Sequence, residues 1–186
     1  IFTEKGKCFW MRIFEVPEGS KTSKGIAIQN LINIEQDDKI KAYVVVKDIK
    51  DQEYLKRPAT QQDIDNGFAE NLEDLVDRYY IVMCTKKGVV KKTSLESYSR
   101  PLTNGINAIS IREGDELLEA RLTNGSNEIL MAIKSGRAIR FNETKVRPMG
   151  RTASGVRGIT LTQDNDEVIG MVCVEDFSKT ILVVSE

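Results

Sequence analysis

The chain has 186 residues, of which 27 are Lys or Arg and 28 are Asp or Glu, so its formal net charge is −1. With 40% hydrophobic and 30% charged residues, its composition is that of a globular protein and excludes a disordered chain. It contains no His, which disfavours hydrolase and zinc-enzyme functions because His is the commonest general base and metal ligand. The longest apolar stretches are about the length of one strand, so no segment predicts a membrane span.

The chain begins Ile-Phe-Thr, without an initiator Met or a signal segment, so we expect it to be a piece of a longer protein. Its three cysteines, Cys8, Cys84 and Cys173, are widely spaced in apolar runs. An odd number of such cysteines predicts buried free thiols and a reducing, cytoplasmic compartment.

A repeat organises the chain from its first residues. Each copy has a short apolar strand, a Gly turn and a second strand that carries Lys or Arg, and a second glycine follows 17 to 19 residues later. An alternating apolar run, an acidic turn and another apolar strand complete the unit. The paired glycines are Gly6 with Gly25, Gly88 with Gly105, and Gly136 with Gly155. About four short strands in a period of 48 residues are typical of propeller blades.

We therefore predict an all-β, propeller-like fold of four-stranded blades, with about three blades and one strand of a fourth. The blades comprise residues 1–47 with 79–82, residues 83–131 and residues 132–177, and the next blade starts at 178–186 with a strand from Thr180 to Val184.

Residues 48–79 interrupt the first repeat, because Gly6 and Gly88 are 82 residues apart. Apolar residues recur every three or four positions from Ile64 to Tyr79, and Thr60 with Asp63 has the spacing of a capping box. This predicts a short helical insertion, with a helix break at Asn66-Gly67. The insertion holds nine acids against four bases, so it should stay away from a polyanion. The alternative is a docking element for another protein.

Basic residues are concentrated in three equivalent windows of the repeat. Residues 3–25, 86–100 and 134–157 together hold 17 basic residues against five acidic ones, whereas the rest of the chain holds 10 against 23. Equivalent positions in successive blades lie at equivalent radii, so the windows predict a basic belt that a polyanion could follow. The alternative is that Lys and Arg only solvate one strand face. Few aromatics lie in the windows, which favours duplex phosphates over stacked single-stranded bases.

We predict that the cations of these windows contact phosphate. In the second repeat they are Lys86, Lys87, Lys91, Lys92 and Arg100, in the third Lys134, Arg137, Arg140, Lys145, Arg147, Arg151 and Arg157, and in the first Lys5, Lys7, Arg12, Lys21 and Lys24. Replacing Lys91 and Lys92 with Glu should then weaken binding without unfolding the domain.

Two glycine loops have a spacing that needs a separate interpretation. Gly150 to Gly155 has the glycine spacing of a P-loop, but Val156-Arg157 follows where Lys-Ser/Thr would be needed to reach the phosphates of a nucleotide. Gly19 to Gly25 is the corresponding loop of the first repeat and also lacks that pattern. Both are interpreted as basic loops whose backbone amides can approach a phosphate.

Three sequence blocks resemble the C-terminal domain of the bacterial DNA gyrase A subunit and, less closely, that of topoisomerase IV. They are Val16-Pro-Glu-Gly-Ser-Lys-Thr-Ser-Lys-Gly25, Gly88-Val-Val-Lys-Lys-Thr93 and Val146-Arg-Pro-Met-Gly-Arg-Thr-Ala-Ser-Gly-Val-Arg-Gly-Ile159. The resemblance spans the chain except the insertion. One departure is Ile26, where the family often has Arg.

The resemblance implies a β-pinwheel, a six-bladed propeller relative whose blades exchange strands and whose basic perimeter wraps DNA. It also implies that this chain holds no catalytic centre, metal or cofactor, and that ATP and Mg²⁺ are used elsewhere in the holoenzyme. The family's Gln-Arg-Arg-Gly-Gly-Lys-Gly box does not occur in this sequence. The implied partners are double-stranded DNA, the remainder of the gyrase A subunit and the gyrase B subunit, in an A2B2 heterotetramer in the bacterial cytoplasm, associated with the nucleoid.

The expected function is therefore a non-catalytic DNA-wrapping module of a type II topoisomerase, which supports ATP-dependent negative supercoiling by the holoenzyme. One alternative is a propeller that binds an acidic protein partner, and another is the equivalent domain of topoisomerase IV, which would serve decatenation. A catalytic function of the chain itself is disfavoured, because the sequence offers no paired nucleophile and base.

Overall fold

The computed structural model describes residues 1–182, and most of its regular secondary structure is short antiparallel strands, in agreement with the all-β prediction. The strands are β1 (Phe2–Thr3), β2 (Lys7–Cys8), β3 (Ile40–Ala42), β4 (Lys56–Pro58), β5 (Leu75–Asp77), β6 (Tyr80–Thr85), β7 (Val89–Ser94), β8 (Ile106–Asn107), β9 (Leu117–Thr123), β10 (Glu128–Ile133), β11 (Ala138–Asn142), β12 (Val156–Arg157) and β13 (Val168–Val174). The helices are α1 (Gln52–Leu55) and α2 (Gln61–Asp65), and 3₁₀ turns lie at Ile13–Glu15, Ile28–Asn30, Leu95–Tyr98 and Glu143–Lys145. Among residues 1–182, no helix is long and apolar enough to cross a membrane.

Three sheets form the blades. Blade I has the strand order β3-β1-β2-β8, blade II has β9-β6-β7-β12, and blade III has β13-β10-β11. In each blade the hairpin around the first glycine of the repeat supplies two neighbouring strands. In blades I and II these are the two central strands of the sheet. The strand that follows the acidic turn pairs with the first strand of that hairpin. The four-stranded blades predicted from the repeat are therefore present in blades I and II.

The outer strand of each four-stranded blade comes from the next repeat. Strand β8 pairs with β2 of blade I, and β12 pairs with β7 of blade II. A close approach requires glycine just before each of these strands. Gly105 and Gly155 have φ of 71° and 87°, and a Cβ there would lie 2.8 Å from the Phe9 ring and 2.7 Å from the Val90 carbonyl oxygen. The strand exchange that the resemblance implied is therefore present, and the second glycine of the repeat permits the close approach that it requires.

The acidic turn of each repeat holds the hairpin of its own blade. An Asp carboxylate accepts a hydrogen bond from the backbone N–H of the residue before the hairpin glycine. The pairs are Asp38 with Lys5 at 3.0 Å, Asp115 with Lys87 at 2.9 Å, and Asp166 with Ser135 at 3.1 Å. Burial alone would raise the pKa of Asp166, but hydrogen bonds from Thr162 and Ser135 outweigh it and lower that pKa to about 2.

The core lies between stacked blades. Strand β6 is buried on both faces, because successive side chains of a strand point to opposite sides. Ile81 and Met83 pack in the cluster shared with blade I, and Val82 and Cys84 pack in the cluster shared with blade III. The three cysteines are free thiols as predicted. Cys8 and Cys84 are buried, whereas Cys173 is half-buried.

The insertion is less helical than predicted. Only α1 and α2 are α-helical, and β4 and β5 pair as an antiparallel ribbon in which Val76 is buried and Leu75 is 67% exposed. The capping box is confirmed, since Thr60 caps α2 and the Asp63 side chain accepts from the Thr60 N–H. The helix ends at Asp65, just before the predicted break at Asn66-Gly67.

The predicted first strand of a further blade is not seen in the described residues. Thr180 to Leu182 belong to no strand, and residues 183 and 184 lie outside the described part of the chain. Within residues 1–182, β11 therefore has no strand on its outer edge.

Candidate nucleic-acid interface

Three loops carry the second glycines of the repeats, and two of them cover the outer edges of blades. We define the first loop as residues 12–27, the second as residues 99–107 and the third as residues 145–157. The third loop runs along β7 from Met149, whose N–H donates to the Lys92 carbonyl oxygen at 2.8 Å, to Arg157, which pairs with Val89. The second loop ends in β8 on the edge of blade I.

The positive charge is concentrated on the third loop. It carries Lys145, Arg147, Arg151 and Arg157, and no acidic residue occurs between positions 144 and 163. None of these four side chains forms an ion pair within residues 1–182. Arg151 is half-buried and the other three are exposed. This loop therefore presents cations that no acidic residue of the loop offsets.

The first two loops are weaker in charge. The first loop holds three exposed cations, Arg12, Lys21 and Lys24, but it also carries Glu15 and Glu18. The second loop has Arg100 as its single charged residue. The predicted belt is thus uneven, with its strongest part on the third loop.

Lys91 and Lys92 do not contribute to this surface, although both were predicted to contact phosphate. Their exposed fractions are 0% and 1%. The strand exchange covers the edge of β7 and the stacked blades cover its faces, so neither ammonium group reaches solvent. The prediction that these two lysines contact phosphate is therefore wrong.

The two buried ammonium groups are held differently. Lys91 Nζ donates to the carbonyl oxygens of Ala108 and Arg151, and burial together with the nearby Arg151 charge lowers the pKa of Lys91 to about 8. Lys92 Nζ lies 3.2 Å from the buried Glu143 carboxylate and 4.3 Å from the centre of the Tyr80 ring. Burial lowers the pKa of Lys92, and the Glu143 charge partly opposes this.

Lys5 and Lys86 face the acidic turns. Lys5 Nζ lies 2.8 Å from Glu35 and 2.7 Å from Asp37, and Lys86 Nζ pairs with Glu116. The hydrogen bonds that the two ammonium groups donate to these carboxylates raise the pKa of both lysines, and for Lys5 the bond to Asp37 has the largest effect. Their positive charge is neutralised locally, so they add little to a belt.

The remaining predicted residues have different surroundings but all reach the surface. Arg140 Nε lies 3.6 Å from Glu128, and its guanidinium lies 5.8 Å from the centre of the Phe177 ring. Lys87 Nζ lies 3.5 Å from the Glu113 carbonyl oxygen. Lys7, Lys134 and Arg137 form no ion pair within residues 1–182, and Lys7 is half-buried.

Glu143 is a structural residue that the sequence analysis missed. Its carboxylate accepts hydrogen bonds from the Asn127 N–H at 2.8 Å, the Gly125 N–H at 3.1 Å and the Thr123 hydroxyl at 2.8 Å, besides pairing with Lys92. It thereby joins blades II and III. A signal was present, because Glu143 is the single acid of an otherwise basic window and a lone acid there suggests a buried partner.

Stacked blades that exchange strands, with an edge-covering loop whose cations form no ion pair in the described part of the chain, define a β-propeller domain with a basic perimeter. The chain belongs to the DNA gyrase C-terminal domain family, a β-propeller family whose model matches residues 1–47, 79–124 and 127–175. The long unmatched stretch, residues 48–78, corresponds to the insertion.

Similar proteins agree with this assignment. The DNA gyrase A subunit of Staphylococcus aureus strain NCTC 8325 is 40% identical over 187 residues, a match that covers 100% of this chain and 18% of that protein. A crystal structure of the C-terminal domain of DNA topoisomerase IV has a TM-score of 0.72 at 24% identity, over 94% of this chain and 46% of that one. A structure of the DNA gyrase A C-terminal domain has a TM-score of 0.62 at 19% identity, with the same coverage. At these identities the two structures show the fold alone.

Proposed function

We propose that this chain is a non-catalytic DNA-binding and DNA-wrapping module of a type II DNA topoisomerase of the gyrase kind. The observation that carries the proposal is the third loop, which has four cations without an ion pair in the described residues 1–182 and no acid from 144 to 163. Membership of a family of DNA gyrase C-terminal domains supports it. The ligand is duplex phosphate, so sequence specificity is low, because phosphate contacts carry no base information.

Wrapping needs contacts on several blades. Smooth bending of a 20 to 30 base-pair duplex costs on the order of 1 to 6 kcal/mol, which a single loop would not offset. The three loops lie on successive repeats, so a duplex that touches all of them must follow the curve of the propeller. The third loop would bind first and the two weaker loops would extend the path.

In the larger protein, the wrapped segment would be presented to the DNA gate formed by other domains. ATP-driven strand passage by those domains would then convert the wrap into negative supercoils. The partners would be the rest of the gyrase A subunit and the gyrase B subunit, in an A2B2 assembly in the bacterial cytoplasm, near the nucleoid. ATP and Mg²⁺ would be bound outside this chain.

The test is a fluorescence titration of a duplex of about 30 base pairs with the chain at several salt concentrations. Each neutralised phosphate contributes about −0.9 to the slope of log K against log salt, so the third loop alone predicts a slope near −3 to −4. An affinity that does not change with salt concentration would contradict the proposal. Competition by polyglutamate as strong as that by duplex DNA would instead identify a receptor for an acidic protein.

A further inference from the structure

Neighbouring donors hold three successive carbonyl groups of the third loop. The Arg151 oxygen accepts from Lys91 Nζ at 2.7 Å, the Thr152 oxygen from the Ser110 hydroxyl at 2.6 Å, and the Ala153 oxygen from the Ser110 N–H at 3.2 Å. Both donor residues belong to the second repeat. The loop is therefore fixed through its carbonyl groups on the side that faces the second repeat.

These held carbonyl groups determine where the N–H groups that follow them point. In a trans peptide the C=O of one residue and the N–H of the next point in opposite directions, and the structure has no cis peptide bond in its described part. The N–H groups of Thr152 and Ser154 follow the held carbonyls of Arg151 and Ala153, so they point away from the second repeat. Neither N–H makes a hydrogen bond within residues 1–182, whereas the Ala153 N–H donates to Gly150 at 3.1 Å.

Lys91 is not required at its position by the fold itself. Counted from the hairpin glycine, its equivalents are Phe9 in blade I and Ile139 in blade III. Phe9 packs its ring against Gly105 and donates nothing to the second loop. A buried ammonium with carbonyl acceptors and no carboxylate is more costly than these apolar residues. Of the two loops that cover a blade edge within residues 1–182, only the third lies over a buried ammonium group, which points to a use at that loop.

We propose that the N–H groups of Thr152 and Ser154 bind one phosphate of the duplex, and that Lys91 and Ser110 are positioning residues that create this site. The site rests on the proposed DNA-binding function. Outward backbone N–H groups form concave anion sites, and the buried Lys91 charge beneath them adds a positive potential that solvent screens weakly. The loop would then hold a phosphate through its backbone while its Arg and Lys side chains bind the flanking ones.

The first experiment measures duplex affinity for four variants of the chain. Ser110→Ala removes one donor and should weaken binding about threefold, while Lys91→Met should weaken it about tenfold. Ser110→Thr keeps the hydroxyl and should bind like the parent. Ser97→Ala is the matched control, because the Ser97 side chain is exposed and makes no hydrogen bond within residues 1–182. Thermal melting checks that each variant is folded, and if Lys91→Met unfolds, the Ser110 pair decides.

The second experiment follows the backbone N–H signals of the isotope-labelled parent by NMR as a short duplex is added. The Thr152 and Ser154 signals should shift strongly, and these shifts should diminish in Ser110→Ala. Parental affinity in both Ser110→Ala and Lys91→Met, or unmoved Thr152 and Ser154 signals while the parent binds, would overturn the site and leave DNA binding intact. Failure of the parent to bind duplex would overturn the proposed function and the site with it.

Discussion

Two adjacent lysines in the middle of β7 show how burial changes the role of a basic residue. The pattern Gly-Val-Val-Lys-Lys predicted a wet strand face, yet the stacked blades bury both sides of this strand. Replacing Lys91 and Lys92 with Glu would place two carboxylates beside carbonyl oxygens and Glu143. That variant should fail to fold, contrary to the expectation drawn from the sequence.

The Lys92–Glu143 pair should be important for stability. Removing one partner leaves a buried charge without compensation, so Lys92→Met should lower the free energy of unfolding by about 3 to 5 kcal/mol. Denaturant unfolding measures this. The double variant Lys92→Met/Glu143→Gln should recover part of the loss, since it removes both charges. Additive losses in the double variant would show that the two residues do not act as a pair.

The lowered pKa of Lys91 predicts a pH effect with a definite sign. Between about 8, its pKa in the folded chain, and its ordinary value of 10.5, the unfolded chain binds a proton that the folded chain has released. Stability contributed by Lys91 therefore rises as pH increases through this window. Cys8 and Tyr98, whose pKa values burial raises, oppose the trend.

Comparison with Lys91→Met isolates that effect, because the other groups titrate in both proteins. Unfolding free energies should be measured from about pH 7 to pH 10. The free energy of the parent should increase relative to that of the variant as pH rises. A constant difference across this range would mean that Lys91 titrates normally.

At the scale of elements, the insertion depends on an ion pair between the β4–β5 ribbon and helix α2. Arg57 donates to both oxygens of Asp63, at 2.6 and 2.9 Å, and this hydrogen bonding holds the pKa of Asp63 well below its ordinary value. Asp63→Asn should destabilise the insertion by about 2 kcal/mol, the scale of charged hydrogen bonds. Hydrogen exchange should speed up for residues 56–77 and not in blades II and III, and uniform acceleration would contradict a local role.

The elements differ in how far the sequence predicts them. Thr60 and Asp63 mark the start of α2 through local chemistry, so that boundary is predictable. The spacing from Phe68 to Tyr79 looks helical, but it mixes exposed Leu72 and Leu75 with a buried Val76 in a strand. Periodicity alone does not reveal the tertiary pairing of β4 with β5.

At the scale of the whole molecule, the repeat predicted the blades, whereas the burial of individual cations depends on contacts between repeats. Glycine spacing reports local turns, and these recur with the blades. The burial of Lys91 arises from β12, which arrives from a repeat about 65 residues later in the chain. Contacts between residues so far apart leave no local sequence pattern. Counting Lys and Arg in the three windows therefore overestimated the number of cations that are available on the belt.

Cations of the third loop and cations that pair with acidic turns should differ in their effect on DNA binding. Arg147→Gln/Arg157→Gln removes two loop charges that have no ion pair among residues 1–182 and should flatten the salt slope by about 1.8. The matched variant Lys5→Gln/Lys86→Gln removes the same charge from the acidic turns and should leave the slope nearly unchanged. Equal changes in the two variants would refute the assignment of binding to the loops.

The central claim is that the loops bend the duplex. Energy transfer between fluorophores on the two ends of a duplex of about 30 base pairs measures this directly as the chain is added. We predict that binding brings the ends closer, so transfer rises to a plateau at saturation and falls again when salt releases the DNA. Saturated binding with no change in transfer would contradict the account, because the chain would then hold DNA without wrapping it.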